Sequence, residues 1–298
     1  IIPSLFPFLV LGSFASLSPS FIRAMRIFSP VMRHAFRLPS SAAAAVLFGL
    51  IGGYPLGCSV AAKLLESGSI NEEQAQRISC FCVNAGPAFV VTAVGAVMLG
   101  NVKIGVIIFA STVISALVIG VLLGFTAPKP DKKPMDCKTQ TTDLQALVQS
   151  AEAGAKGIIK ICAWTVLFSC LAQILQAMGL DERFISATKY VFEVTAGCQE
   201  ASAKGNYCAL AAVLGWSGLC VGCQVMSDVR RIKTPVAVFF AFRALHAAMS
   251  AVVCKGLLCL FPVEQSVFSN VASVSARSFS YSMPATAALL CLCIVFII

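Results

Sequence analysis

Arg243 and His246 lie inside one apolar run, 235–261, three residues apart, and Ser250 follows seven residues after Arg243. On a helix all three share one face. A guanidinium at that depth costs about 2.5–3.5 kcal/mol to insert on translocon scales, so something must offset it. Its planar fork can hold a carboxylate through two charge-assisted hydrogen bonds. Glu193, Glu200 and Gln224 are further polar side chains embedded in apolar runs. The plainer reading of this set is a Glu193–Arg243 ion pair that locks two helices together; the sharper one is a site for an anionic ligand.

Ser217 in Gly215-Trp-Ser217-Gly218, with His246 in the next apolar run, suggests a different chemistry. The G-x-S-G pattern with a histidine base is that of rhomboid-type intramembrane serine proteases. Short Gly/Ser patterns are common in membrane helices. The other histidine, His34, sits in a basic loop, so the oxyanion-side His and Asn of such proteases are missing. The reading assigns no catalytic residue and keeps the Ser217/His246 protease as the least favoured alternative. Cys220 and Cys223 have metal-ligand spacing without two further ligands nearby, and no metal site is assigned.

Four interruptions must position these side chains. "GGYPLG" (52–57) breaks the run 41–62, and "NAGP" (84–87) breaks 78–100. "EVTAGCQE" (193–200) and "GWSGLCVGCQ" (215–224) do the same in the second half. In the first pair Gly52, Gly53 and Gly57 permit a turn and close backbone approach, and Pro55 stops the helix. Asn84, Gly86 and Pro87 serve alike, the Asn amide offering both donor and acceptor. Thr195, Gly197, Gly218 and Gln224 complete the candidate set in the second pair. Backbone groups freed inside a membrane persist only when buried in protein or lining a wet cavity, and N–H groups at a half-helix start bind anions. Interrupted apolar segments at matching places in two halves point to a transporter binding site near the midplane.

The elements follow from composition. The 298 residues are 58% hydrophobic and 12% charged, and a mean hydropathy of +0.88 lies far outside soluble domains. Nine apolar runs (5–22, 41–62, 78–100, 104–125, 157–178, 184–204, 207–227, 235–261, 284–298) are each long enough to span or fold back within a bilayer. Most of the 14 cysteines lie inside these runs, as small hydrophobes. The net charge of +9 sits in short loops with no basic stripe interleaved with aromatics, which speaks against nucleic acid. If 41–65 and 184–204 are re-entrant, 15 of the 22 basic residues share the cytoplasmic side, as the positive-inside tendency requires. The two halves then enter from opposite sides.

The stretches "FRLPSSAAAAVLFGLIGGYPLGCSVAAKL" (36–64), "EEQAQRISCFCVNAGPAF" (72–89), "ICAWTVLFSC" (161–170), "EVTAGC" (193–198) and "FRALHAAMS" (242–250) resemble the YlbJ-type sporulation integral membrane proteins. These are relatives of the nucleoside-recognition Gate domain of concentrative nucleoside transporters. The resemblance runs over nearly the whole chain and departs from the family pattern at Gly52, Val83 and 215–224. It implies movement of dipicolinate, a planar pyridine dicarboxylate, between compartments of a developing spore.

The expectation is an all-α polytopic membrane protein with two inverted repeats, broken helices, re-entrant hairpins and about seven full spans. The first repeat covers 1–125, a cytoplasmic linker and amphipathic helix 126–156, the second repeat 157–262, and an external loop with a final transmembrane helix 263–298. The expected function is secondary transport of a small organic anion, with a nucleoside-like solute as the alternative. No P-loop pattern is present, so transport is passive or coupled to an ion, H+ or Na+, and no cofactor is assigned. The partners are the organic anion and the bilayer of a bacterial cell or forespore membrane, and a homo-oligomer is left open. No secretory signal is visible at Ile1, and residues upstream are left open.

Overall fold

The computed structural model describes residues 2–128 and 142–262. Among the described residues all regular structure is helical. The first half holds α1 (Ile2–Leu17), α2 (Pro19–Ala24), a 3-10 turn (Met25–Phe28), α3 (Ser29–His34) and a second 3-10 turn (Ser40–Ala42). These are followed by α4 (Ala43–Ile51), α5 (Tyr54–Glu66), α6 (Glu72–Phe81), a π-helix (Ala88–Met98) and α7 (Val102–Thr126). The second half holds α8 (Asp143–Ala177), α9 (Glu182–Phe192), α10 (Val194–Ala203), α11 (Tyr207–Trp216), α12 (Gly218–Arg231) and α13 (Val236–Leu260). The expected external loop and final helix lie outside the described residues, as does most of the Lys-rich linker.

Among the described residues four helical stretches are long and apolar enough to cross a membrane: α7, α8, α11 with α12 taken together, and α13. At about 1.5 Å per residue, the 25 residues of α7 or α13 exceed the hydrocarbon thickness of about 30 Å. Large apolar side chains such as Val118, Leu122, Ile159, Val166 and Ile174 stay exposed on α7 and α8. A bilayer is the solvent that accepts such surfaces.

Helix starts are set by side chains that satisfy the free N–H groups of the first turn. Asn71 and Gln74 form a reciprocal capping box at the start of α6. Asp143 is the first residue of α8. Thr142 caps α8 with Gln145, and Asp143 accepts hydrogen bonds from the Ser18 and Ser20 hydroxyls, 2.6 Å each.

Apart from α2, α3 and the two 3-10 turns, which have no counterpart between α8 and α9, the elements of the two halves follow one order: a helix (α1, α8), a pair of short helices (α4–α5, α9–α10), an interrupted helix (α6 with the π-helix, α11 with α12), and a long helix (α7, α13). Within each pair the short helices pack on one another, while α6 and the π-helix both lie along α7. Helix α1 packs along α8, and α7 along α13. One core cluster gathers α4, α5, α6 and α7, with Phe36 stacked on Phe81. The other joins the halves, bringing Tyr54, Val83, Val90 and Ile104 against Leu210, Leu214, Val225 and Phe239. The interruptions lie where this second cluster forms.

Candidate functional site at the junction of four helix breaks

The first break follows from Gly53, whose backbone (φ 101°, ψ 166°) is open to glycine alone. Pro55 stands at the second position of α5, where its missing N–H costs nothing. The pair α4–α5 clamps the end of α6. A Cβ on Gly49 would sit 2.7 Å from the Cys82 carbonyl oxygen, and one on Gly57 would collide with that same atom. Cys82 ends α6, and Gly86 lies against the first break, 3.1 Å from the Ile51 carbonyl oxygen by its would-be Cβ. The Asn84 amide nitrogen donates to the carbonyls of Gly49 (3.2 Å) and Phe81 (3.1 Å). Its Oδ1 is buried without a partner.

The third break turns on Glu193, which ends α9 and starts α10. Its carboxylate accepts from the Ala196 N–H at 2.7 Å, the placement that a helix N-terminus favours. Gly197 lets α10 close on α9 and α11, its would-be Cβ meeting Val213 at 2.9 Å and the Lys189 carbonyl at 3.1 Å. Thr195 is half-buried beside it. The fourth break is Ser217, left-handed at φ 69°, followed by Gly218 at φ 77°. The would-be Cβ of Gly218 lies 3.3 Å from the Glu193 Cα, so the third and fourth breaks touch, as the first and second do. Gln224 is buried on α12 and reaches back to Cys220. Glu200 is drawn away from the junction into a cluster with Lys189 (3.0 Å) and Lys204 (2.8 Å).

Side chains from each half close the broken helix of the other. Tyr54 donates its hydroxyl to the Leu214 carbonyl at 3.0 Å, in the last turn of α11. Arg243 on α13 donates to the carbonyls of Cys80 (2.6 Å) and Val83 at the end of α6. A helix leaves its final C=O groups without intrahelical partners, and a cation there is favoured by the helix dipole. This explains how a fully buried guanidinium, 0% exposed, is tolerated. The Glu193–Arg243 ion pair does not form. Glu193 caps α10, and the fork of Arg243 is taken by backbone carbonyls, with only its Nε unpartnered.

His246 and Ser250 share the buried face of Arg243, as their spacing requires. His246 Nε2 lies 2.9 Å from the Thr112 carbonyl, and Nδ1 lies 3.5 Å from the Arg243 Nη1. A carbonyl needs a donor and a guanidinium needs an acceptor, which assigns a neutral imidazole protonated at Nε2. The Ser217 hydroxyl turns onto its neighbouring Trp216 carbonyl. Ser217 and His246 each have other partners, although Gly215 packs against the His246 backbone. The Ser250 hydroxyl, the Arg243 Nε and the Asn84 Oδ1 are three buried polar atoms without partners. Buried polar groups are normally paired, and these three exceptions stand on α13 and just after α6, while others among the described residues lie elsewhere.

The junction therefore collects Gly52, Gly53, Tyr54, Pro55, Gly57, Asn84, Gly86 and Pro87 with Glu193, Ser217, Gly218, Arg243 and His246, and it excludes Glu200. The carbonyls of Cys80, Val83, Thr112 and Leu214 were invisible to residue-type reasoning, because every residue carries one. Gly49 was legible in principle, standing eight residues before Gly57 in the same glycine-rich stretch.

A helical chain with membrane-spanning stretches and polar groups gathered at buried helix breaks is an integral membrane protein of the polytopic all-α class. The chain is similar to the sporulation integral membrane protein YlbJ of Bacillus subtilis (strain 168), 21% identical over 296 residues, covering 85% of this chain and 72% of that protein. No protein-family profile matches it, and no solved structure does.

Proposed function

We propose that the chain is a secondary transporter that moves a small organic anion, dipicolinate or a similar planar aromatic carboxylate, across a membrane during sporulation. The observation that carries this reading is the meeting of four helix breaks, each pair in contact and each half capped by a side chain of the other. In this reading the repeated order of elements reflects two inverted repeats with seven full spans, and α4–α5 and α9–α10 are re-entrant hairpins of a Gate-type transporter. The α10 start holds the Glu193 carboxylate, whereas the start of α5 has no side-chain cap. A ligand carboxylate fills at α5 the place that Glu193 fills at α10. The coupling ion, H+ or Na+, is not assigned to residues.

A nucleoside-like solute is the second reading, and Asn84 favours it. The unpartnered Oδ1 accepts from an N–H or O–H, which a nucleobase or ribose offers and a dicarboxylate does not. Thermal unfolding of the purified chain with dipicolinate and with a nucleoside panel separates the two. A ligand at 100 times its Kd adds about 2.7 kcal/mol to the bound state. Stabilisation by dipicolinate alone is expected; stabilisation by a nucleoside alone moves the assignment to the second reading, and none by either contradicts both.

A further inference from the structure

Away from the junction, a charged cluster stands where the two halves meet a second time. Helix α5 packs along α12, α8 along both α1 and α12, and α1 along α5. Lys63 on α5 donates to the Ser13 hydroxyl on α1 at 2.9 Å, and Lys160 on α8 donates to the Ser227 hydroxyl on α12 at 2.5 Å. Beside both lies Asp228, its side chain 14% exposed. Among the described residues no group donates a hydrogen bond to its carboxylate, and only Arg231 comes within ion-pair distance, at 3.9 Å. Lys63, Lys160 and Glu66 act on it from further off, and the buried Cys58 on α5 feels its charge. Helices α9, α10 and α13 meet α12 nearer its start, at Gly218 and Gly222. Lys63 and Asp228 stand at matching depths: α5 starts after the first break and α12 at the fourth, and the two residues follow nine and ten positions later, about 15 Å along each helix.

We propose that Asp228 carries the proton that couples anion movement to a pH gradient, with Lys63 and Lys160 setting when it is charged; the inference rests on the transport reading above. Ionisable side chains embedded where helices meet form proton relays in pumps and transporters. A carboxylate held out of water without a hydrogen bond is costly as an anion, and cations around it offset that cost. The two influences oppose one another, so a small shift of α5 or α8 against α12 decides whether the proton is held. In this state both ammonium groups are engaged by serine hydroxyls, and the carboxylate is left to Arg231. The step is one proton from water joining a carboxylate oxygen as O–H, and its return to water on the other side of the membrane. A metal cation does not suit the place, because two ammonium groups and a guanidinium repel it. The half-helices that bear Asp228 and Lys63 begin at the breaks, so the charge of Asp228 acts on the elements that frame the anion.

The test places the full chain in liposomes, with a potassium ionophore and equal potassium on both sides to hold the membrane potential at zero. With the outside about one pH unit more acid, the parent accumulates dipicolinate about tenfold beyond protein-free liposomes, the ratio that one proton per anion allows. Asp228→Asn stays neutral like the protonated acid; it still exchanges labelled for unlabelled dipicolinate and loses the accumulation. Glu152→Gln, at an exposed carboxylate on α8, keeps both. Should Asp228→Asn fail to fold, Asp228→Asn with Lys63→Gln removes opposite charges together and gives the same loss. A parent that exchanges dipicolinate without answering the pH gradient overturns this inference alone. So does either Asp228 variant that accumulates as the parent does. A parent that neither exchanges nor accumulates dipicolinate removes the transport reading, and this inference with it.

Discussion

Arg243 acts on backbone rather than on a side-chain carboxylate. Its two carbonyl acceptors come from the end of a helix in the other half of the chain, and hydrogen bonds to a charged group contribute about 1.5–3 kcal/mol each. Arg243→Lys keeps the charge but cannot span both carbonyls in a plane. The expected loss is about 1.5–3 kcal/mol, read as a lower Tm of the purified chain. A double-mutant cycle of Arg243→Met with Glu193→Gln distinguishes this from an ion pair. With Glu193 capping α10 and Arg243 closing α6, the two effects add within about 0.5 kcal/mol; a coupling well above that restores the pair. Tyr54→Phe removes one neutral hydrogen bond and should cost about 0.5–1.5 kcal/mol, the size of a typical net contribution. The sequence marked Arg243, His246 and Ser250 as one embedded face, and the structure buries all three. It did not reveal their partners, because the pairing of a charge with a main-chain carbonyl depends on which helix ends where.

At the scale of elements, the breaks fell where residue types put them, at Gly53 with Pro55, at Asn84 to Pro87, at Glu193 and at Ser217. Backbone restrictions of Gly and Pro act locally, so a local reading finds them. The π-helix after Pro87 has no comparable signature, being a change of hydrogen-bond register within an ordinary apolar run. The close fit of α4–α5 around Cys82 was equally hidden, since it depends on a contact between segments. That fit is the sharpest element-level test. Gly57→Ala pushes a methyl into the Cys82 carbonyl and should cost about 3 kcal/mol or abolish folded protein, as overpacking against backbone does. Gly256→Ala, on α13 with nothing within 4 Å, should be neutral or add up to about 1 kcal/mol from helix propensity. Thermal unfolding of both variants reads the contrast, and similar losses in the two would contradict the packing.

At the scale of the molecule, charge placement decides which way the halves face. The basic residues around α2, α3, α6 and the α12–α13 turn gather on one side in the inverted arrangement. A Cys in place of Gly68 should then react with an impermeant thiol reagent from the cytoplasm, and one in place of Gly205 from outside. Reaction of both from one face would remove the inverted repeats. The whole-molecule account turns on the claim that the four breaks form a path for a small anion, and flux tests it most directly. Liposomes loaded with terbium ions and bearing the purified chain should luminesce as dipicolinate enters and binds the metal, faster than protein-free liposomes, with Tyr54→Phe and Asn84→Leu slowing entry. Dipicolinate entry no faster than through bare lipid, with the chain shown folded and inserted, would contradict the account.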